Sequence, residues 1–312
     1  MSTPRIDGAL MADKYLQMRR SMGYKLDQQG QLLMEFITYF LRSGDAHLTS
    51  RQVLEWATLP AGANPVWWYA RLGAVRPFAQ YLQAFDPLTQ VPDPSLLLDG
   101  SHRVLPYIFS DDELARVLQA TDRLITEFRA RTYRTYISLV AVTGMRRSEA
   151  THLDCSDIDW GQGILTIREA KFHKSRQLPL HPSTVAALAE YSMIRDAKYP
   201  HPKDPAVFLS ARGTRLIPAN ASQVFARLAR EADVTRPGFH HQPHLHDLRH
   251  TYAVKTLQGW YRAGADVGPL LPLLWTYLGH QNPAATYWYL SGTPELMTLV
   301  SDRLGSYLQE ES

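Results

Sequence analysis

Residues 244–250 read His-Leu-His-Asp-Leu-Arg-His, and no other part of the chain combines so many ionisable groups with a helical apolar spacing. On a helix, His246, Arg249 and His250 fall at i, i+3 and i+4 on one side, while Leu245 and Leu248 point inward. Three such groups repel one another when charged unless they share an anion, so packing alone explains the heptad poorly. The histidines also have the spacing of a zinc-protease H-E-x-x-H helix. Against that reading, Asp247 stands in place of the general-base glutamate and Arg249 would lie against the metal.

Three further stretches place polar groups where packing alone explains them poorly. Thr143-Gly144-Met145-Arg146-Arg147-Ser148-Glu149 ends an apolar helix at a Thr-Gly break, and a guanidinium follows at once, with Ser148 able to cap the next helix. An arginine on such a corner can offer its planar fork to phosphate or carboxylate. Ala170-Lys171-Phe172-His173-Lys174-Ser175-Arg176 sets three cations in a turn between two strand-like runs, which suits a solvated loop or a loop entering a DNA groove. Finally, Leu278-Gly279-His280 closes another helix, and Thr286-Tyr287-Trp288-Tyr289 follows.

Outward from these sites the chain reads as mainly α with a small antiparallel sheet. Residues 1–90 form a helical domain. Met11–Met22 is closed by Gly23; Leu33, Phe36, Ile37 and Phe40 share a face that stops at Gly44; Thr49-Ser50-Arg51-Gln52 has capping-box spacing; and Asn64-Pro65 opens a longer helix. Along that helix Trp68, Leu72, Val75, Ala79 and Leu82 form the buried stripe, with Arg71 and Arg76 away from its centre. Trp67, Trp68 and Tyr69 read as core with one partly exposed ring, or as a stacking platform for a base or sugar. A Pro-, Asp- and Ser-rich stretch makes residues 91–106 the linker. The second domain, 107–312, opens with the capping box Ser110-Asp111-Asp112-Glu113 and a helix through Tyr133–Val142. Strands are expected at Ile164–Arg168 and Gln177–Leu180, and helices at Ser183–Lys198, Ala219–Glu231, Asp247–Gln258, Leu270–Leu278 and Thr293–Leu308.

Composition excludes several classes. With 45% hydrophobic residues in 312, the chain can bury two cores, so wholesale disorder is excluded. No apolar run reaches the roughly 18 residues of a membrane span, and acids in the first fifteen residues argue against an export signal. Cys155 is the single cysteine, so there is no disulfide framework and no multi-cysteine zinc site; a reducing cytoplasm, with association to the nucleoid, is the expected location. The net charge is only +3: nine of the 33 basic and nine of the 30 acidic residues lie in 1–100, leaving 24 against 21 in the rest. Any site for a polyanion therefore comes from where the charges are placed, not from their sum.

Taken in order, Thr-Gly-x-Arg, a hairpin lysine, His-x-x-Arg-His, Leu-Gly-His and a tyrosine nine residues later resemble the tyrosine recombinase (phage integrase) family. The likeness runs from about Ile108 to Tyr289, and the N-terminal helices resemble that family's core-binding domain by pattern and position. The resemblance implies an α+β catalytic domain in which Arg146 and Arg249 grip the scissile phosphate, His246 accepts a proton, His280 donates a further hydrogen bond, Lys171 is the general acid and Tyr289 the nucleophile. Ala170 and Phe172 stand where the family often has glycines, which keeps Lys174 as the alternative to Lys171; Tyr287 is the alternative to Tyr289.

The implied activity is site-specific recombination through a 3′-phosphotyrosyl linkage, with no metal, cofactor or ATP. Its implied partners are double-stranded DNA carrying specific sites, other copies of the chain as a tetramer on two duplexes, and an accessory DNA-bending or directionality factor. The family holds DNA in a clamp of its two domains and passes a C-terminal segment to a neighbour, a role that Thr293–Leu308 is long enough to fill. The N-terminal region inclines the reading towards a mobile element. A type IB topoisomerase and a DNA-binding regulator without cleavage are the competing functions.

Overall fold

The computed structural model describes residues 7–59, 61–97, 106–170, 174–235, 242–279 and Thr298. The chain divides into two compact units, Met1–Val104 and Leu105–Ser312. Among the described residues no helix is long and apolar enough to cross a membrane.

The first unit holds helices α1 (Gly8–Ser21), α2 (Asp27–Ser43), α3 (Ser50–Thr58) and α4 (Pro65–Gln83). Their ends follow local chemistry. Gly44 terminates α2 in the left-handed conformation, Thr49 and Gln52 form a reciprocal capping box on α3, and the Asn64 side chain accepts from the Val66 N–H ahead of Pro65. Phe36, Val53, Val75, Phe78 and Ala79 are fully buried between these helices. Trp67, Trp68 and Tyr69 are all half-buried.

Arg71 corrects the sequence reading, which set it away from the buried stripe. It is only 7% exposed. Its guanidinium lies over the Trp56 ring at 3.7 Å, and Nη2 donates to the Trp56 carbonyl at 2.9 Å. The aromatic face and the carbonyl replace water for the cation, which lets an arginine sit among apolar neighbours.

The second unit is built from α5 (Asp111–Ala120), α6 (Glu127–Thr143), α7 (Arg147–His152), strands β1 (Ile158–Asp159), β2 (Ile164–Ala170) and β3 (Lys174–Pro179), then α8 (Pro182–Lys198), α9 (Pro218–Glu231), α10 (Asp247–Arg262) and α11 (Val267–Leu278). The sheet is antiparallel in the order β1-β2-β3, with Ile164 opposite Pro179, Ile167 opposite Arg176 and Ala170 opposite Lys174. The strands reach closer to the turn than expected because the ladder resumes at Ala170–Lys174 after an irregularity. Strand β1 has two residues, too few for an alternation to reveal it.

Helix α6 lies at the centre of the main core, where Tyr136, Ile137, Leu139 and Val140 are buried and the Tyr136 ring meets Phe208 edge-on at 5.4 Å. A smaller core joins α10 to α11 through Val254, Leu257, Leu271, Leu274 and Leu278. Helix α11 starts three residues before the expected Leu270. Pro269 occupies the first turn, where backbone N–H groups have no helical partner, so it does not delay the start.

Thr251 ties the first turns of α10 to the segment ahead of α5. Its buried Oγ1 accepts from the Phe109 N–H at 3.0 Å and donates to the Asp247 carbonyl at 2.8 Å. Thr251→Val keeps the shape but strands a buried N–H. It should destabilise the second unit by about 1–3 kcal/mol in urea melts, whereas Thr251→Ser, which keeps the hydroxyl, should lose less.

Candidate active site

Three of the six residues singled out in the sequence lie in described parts of the chain, and two of them, Arg146 and Arg249, come to one end of α11. Arg146 occupies the N-cap position of α7, immediately after the Gly144 break. His246 holds the N-cap position of α10, and Arg249 lies in that helix's first turn. Lys171, His280 and Tyr289 lie outside the described residues, as do the alternative Tyr287 and, apart from Thr298, the 293–308 segment.

Helix α11 ends at Gly279, in the left-handed conformation at φ 67°. Its last carbonyls have no partner within the helix and carry the negative end of the helix dipole. Arginines from three other elements supply the donors. Arg176 Nε donates to the Tyr277 carbonyl at 2.7 Å, Arg249 Nη2 to that of Leu278 at 2.6 Å, and Arg146 Nη2 to that of Gly279 at 2.5 Å. Arg249 reaches further, donating through Nη1 to the Gly144 carbonyl at 2.8 Å. It is 1% exposed and thus ties the α6–α7 corner to the α11 terminus from inside.

The two glycines that the sequence places at helix ends are required by this closeness. A Cβ on Gly144, whose φ is 61°, would lie 2.5 Å from the Tyr252 ring. A Cβ on Gly279 would lie 2.9 Å from Arg176 Nη1 and 3.3 Å from Arg146 Nη1.

Two further side chains belong to this cluster: Glu149, which the sequence reading gave no role, and Arg176, which it named only as a cation of the hairpin stretch. Glu149, on α7, is 9% exposed. Its Oε1 accepts from Arg146 Nη1 at 2.7 Å and Arg176 Nη1 at 3.0 Å, and its Oε2 from the Arg146 N–H and Arg176 Nη2, each at 2.7 Å. Burial alone would lift its pKa, but the hydrogen bonds and charges of Arg176 and Arg146 outweigh it and hold the carboxyl down to about 2. Glu149, three residues after the N-cap, therefore does the capping work expected of Ser148, which lies inside the helix. The spacing Arg146-x-x-Glu149 was the available signal. For Arg176 it was the strand alternation, which puts this cation on the same face as the fully buried Leu178.

His246 packs edge-on against His250, ring centroids 4.7 Å apart. One edge of His246 faces solvent, yet the packing around its ring, with the charges of Arg249, His244 and Arg146, lowers its pKa to about 4. His250 is pushed down to about 3, first by burial and then by His246. The expected repulsion within the heptad is thus relieved by two neutral rings, and His246 is in the form that can accept a proton. Asp247 turns back to His244, whose Nδ1 lies 2.9 Å from Asp247 Oδ2 and whose pKa this contact raises. Among the described residues, no three His, Cys, Asp or Glu side chains lie close enough to hold a metal ion.

Comparison with known proteins follows the same lines. The family model described as "Phage integrase family" matches residues 108–295. The chain is 38% identical to a putative integrase/recombinase (y4rB) of Sinorhizobium fredii, across 93% of this chain and 95% of that protein. It is 30% identical to the tyrosine recombinase XerC of Pseudomonas aeruginosa, across 74% of this chain and 70% of that one. Among solved structures, the fold is similar to a Tn1549 transposon integrase in complex with transposon end DNA (TM-score 0.67, 15% identity, 95% of this chain and 99% of that one). It is also similar to the XerH site-specific recombinase bound to difH (TM-score 0.65, 19% identity, 88% and 78%).

The histidine shifts carry a sign. Below the usual pKa of 6.5 the unfolded chain takes up protons that His246 and His250 refuse in the native state, so stability falls as pH drops from 6.5 towards 4. His244 opposes this, its pKa being raised. Thermal melts between pH 7 and 4.5 should therefore show a loss that shrinks in His250→Asn, by about 1–2 kcal/mol. An unchanged pH slope in that variant would contradict the assignment.

Proposed function

The chain belongs to the phage integrase family, the tyrosine-type site-specific recombinases, and from that premise we propose that it cuts and rejoins DNA through a covalent 3′-phosphotyrosyl intermediate. The observation that carries the proposal is the meeting of Arg146 and Arg249 at the end of α11, with His246 at the start of the helix that carries Arg249 and Tyr289 eleven residues after Leu278 in the chain.

A phosphodiester is anionic and repels an attacking oxygen. Guanidinium groups held by carbonyl and carboxylate partners can turn their remaining N–H bonds to its non-bridging oxygens, and they strengthen as charge builds in the transition state. Tyr289 Oη forms the new bond to phosphorus as the bond to the 5′ oxygen breaks. His246 takes the phenol proton, Lys171 protonates the departing 5′ oxygen, and His280 adds a hydrogen bond to the phosphoryl oxygens. One phosphodiester is exchanged for another of similar energy, so a 5′-hydroxyl from another strand reverses the step without ATP.

The same reading takes the chain as acting on double-stranded DNA at specific sites, as a tetramer on two duplexes, with 1–90 as the core-binding domain, 91–106 as linker and 107–312 as catalytic domain. A mobile-element origin belongs to the same reading.

Denaturing lysis of cells expressing the protein should capture covalently attached DNA, whose sequence supplies the site for a nicked suicide duplex. On that duplex the wild type should accumulate a stable adduct, Tyr287→Phe should retain it and Tyr289→Phe should form none. Arg146→Ala and Arg249→Ala should each slow adduct formation by roughly 100-fold or more. An adduct with Tyr289→Phe would overturn the choice of nucleophile.

A further inference from the structure

We propose that Arg176 is a positioning residue for strand cleavage: by sharing the Glu149 carboxylate it leaves Arg146 with net positive charge for the scissile phosphate, and it ties the lysine-bearing hairpin to the end of α11. The inference rests on the recombinase reading above and adds to it a residue that acts through others.

The geometry is specific. Glu149 accepts four hydrogen bonds, two from Arg146 and two from Arg176, and the Arg176 pair is a bidentate fork. If Arg146 were the sole cation on Glu149, the pair would be neutral, and Arg146 would attract a phosphate only weakly. With Arg176 present, the two guanidinium groups and one carboxylate sum to a single positive charge, held in a poorly solvated site where it acts at full strength. The third arm of Arg176, Nε, donates to the Tyr277 carbonyl at 2.7 Å. A single side chain of β3 thereby joins α7, which follows Arg146, to the α11 terminus, after which His280 follows in the chain. Its side chain is 11% exposed, so it is not a surface cation waiting for DNA. Lysine cannot replace it, because one ammonium cannot serve both carboxylate oxygens and a carbonyl on the far side.

The test uses the full-length protein and the nicked suicide duplex in single-turnover reactions at saturating protein, with DNA affinity measured in a Tyr289→Phe background. Arg176→Met should slow adduct formation at least tenfold while changing affinity less than threefold. The decisive variant adds Glu149→Gln. The substituted amide keeps the acceptor for the Arg146 N–H but removes the unbalanced charge, so the double variant should recover at least threefold over Arg176→Met. Should Arg176→Met not fold, Arg176→Lys is read instead, with a loss of three- to thirtyfold expected.

Adduct formation within twofold of wild type by Arg176→Met, or by Arg176→Lys where Met does not fold, overturns the proposal. So does a double variant no faster than Arg176→Met, since removing the unbalanced carboxylate is then without effect on Arg146. If the wild type itself traps no DNA, the recombinase reading fails first. A trapping wild type with an indifferent Arg176 leaves that reading intact and removes only this inference.

Discussion

The site depends on a helix end. Three successive carbonyls at the C-terminus of α11 point where no helical N–H can reach them, and each takes a hydrogen bond from a different arginine. The contact serves both sides. The carbonyls are satisfied in a poorly hydrated place, and three cations that would repel one another are held by the negative end of a dipole and by Glu149. Because those arginines come from β3, α7 and α10, one helix terminus sets the mutual geometry of elements that lie about 130 residues apart in the chain. The left-handed Gly279 permits it, since any side chain there would push into two of the guanidinium groups.

Much of the scaffold could be read in advance because its boundaries are written locally. The capping boxes at Thr49 and Ser110, the Asn64-Pro65 start and the glycines at 44, 144 and 279 act within one helical turn, and all are found where expected. The misreadings concern tertiary context. Arg71 looked like a surface residue because its burial depends on the Trp56 face, from another helix. Arg249 was grouped with His246 and His250 by helical spacing, and that spacing does not tell that it is 1% exposed and joins two helix ends.

The candidate site divides in the same way. Arg146, His246 and Arg249 stand in short motifs that a single sequence displays. Glu149 and Arg176 matter because they meet each other, and nothing in either segment announces a partner 27 residues distant. In the proposed reading their meeting also accounts for a glutamate beside Arg146: the carboxylate orients that guanidinium, and the second arginine balances its charge. The two histidines complete the balance by remaining neutral among the cations.

The central claim is that Arg146 and Arg249 act on the negative charge of one scissile phosphate. Replacing that phosphate with a methylphosphonate removes the charge while leaving the phosphorus open to attack, and the measurement is adduct formation by wild type, Arg146→Ala and Arg249→Ala on both substrates. The arginine variants should fall far behind wild type on the natural phosphate and recover most of that deficit on the neutral one. Deficits of equal size on the two substrates would mean that these arginines support the fold and not the phosphate, and would contradict the account.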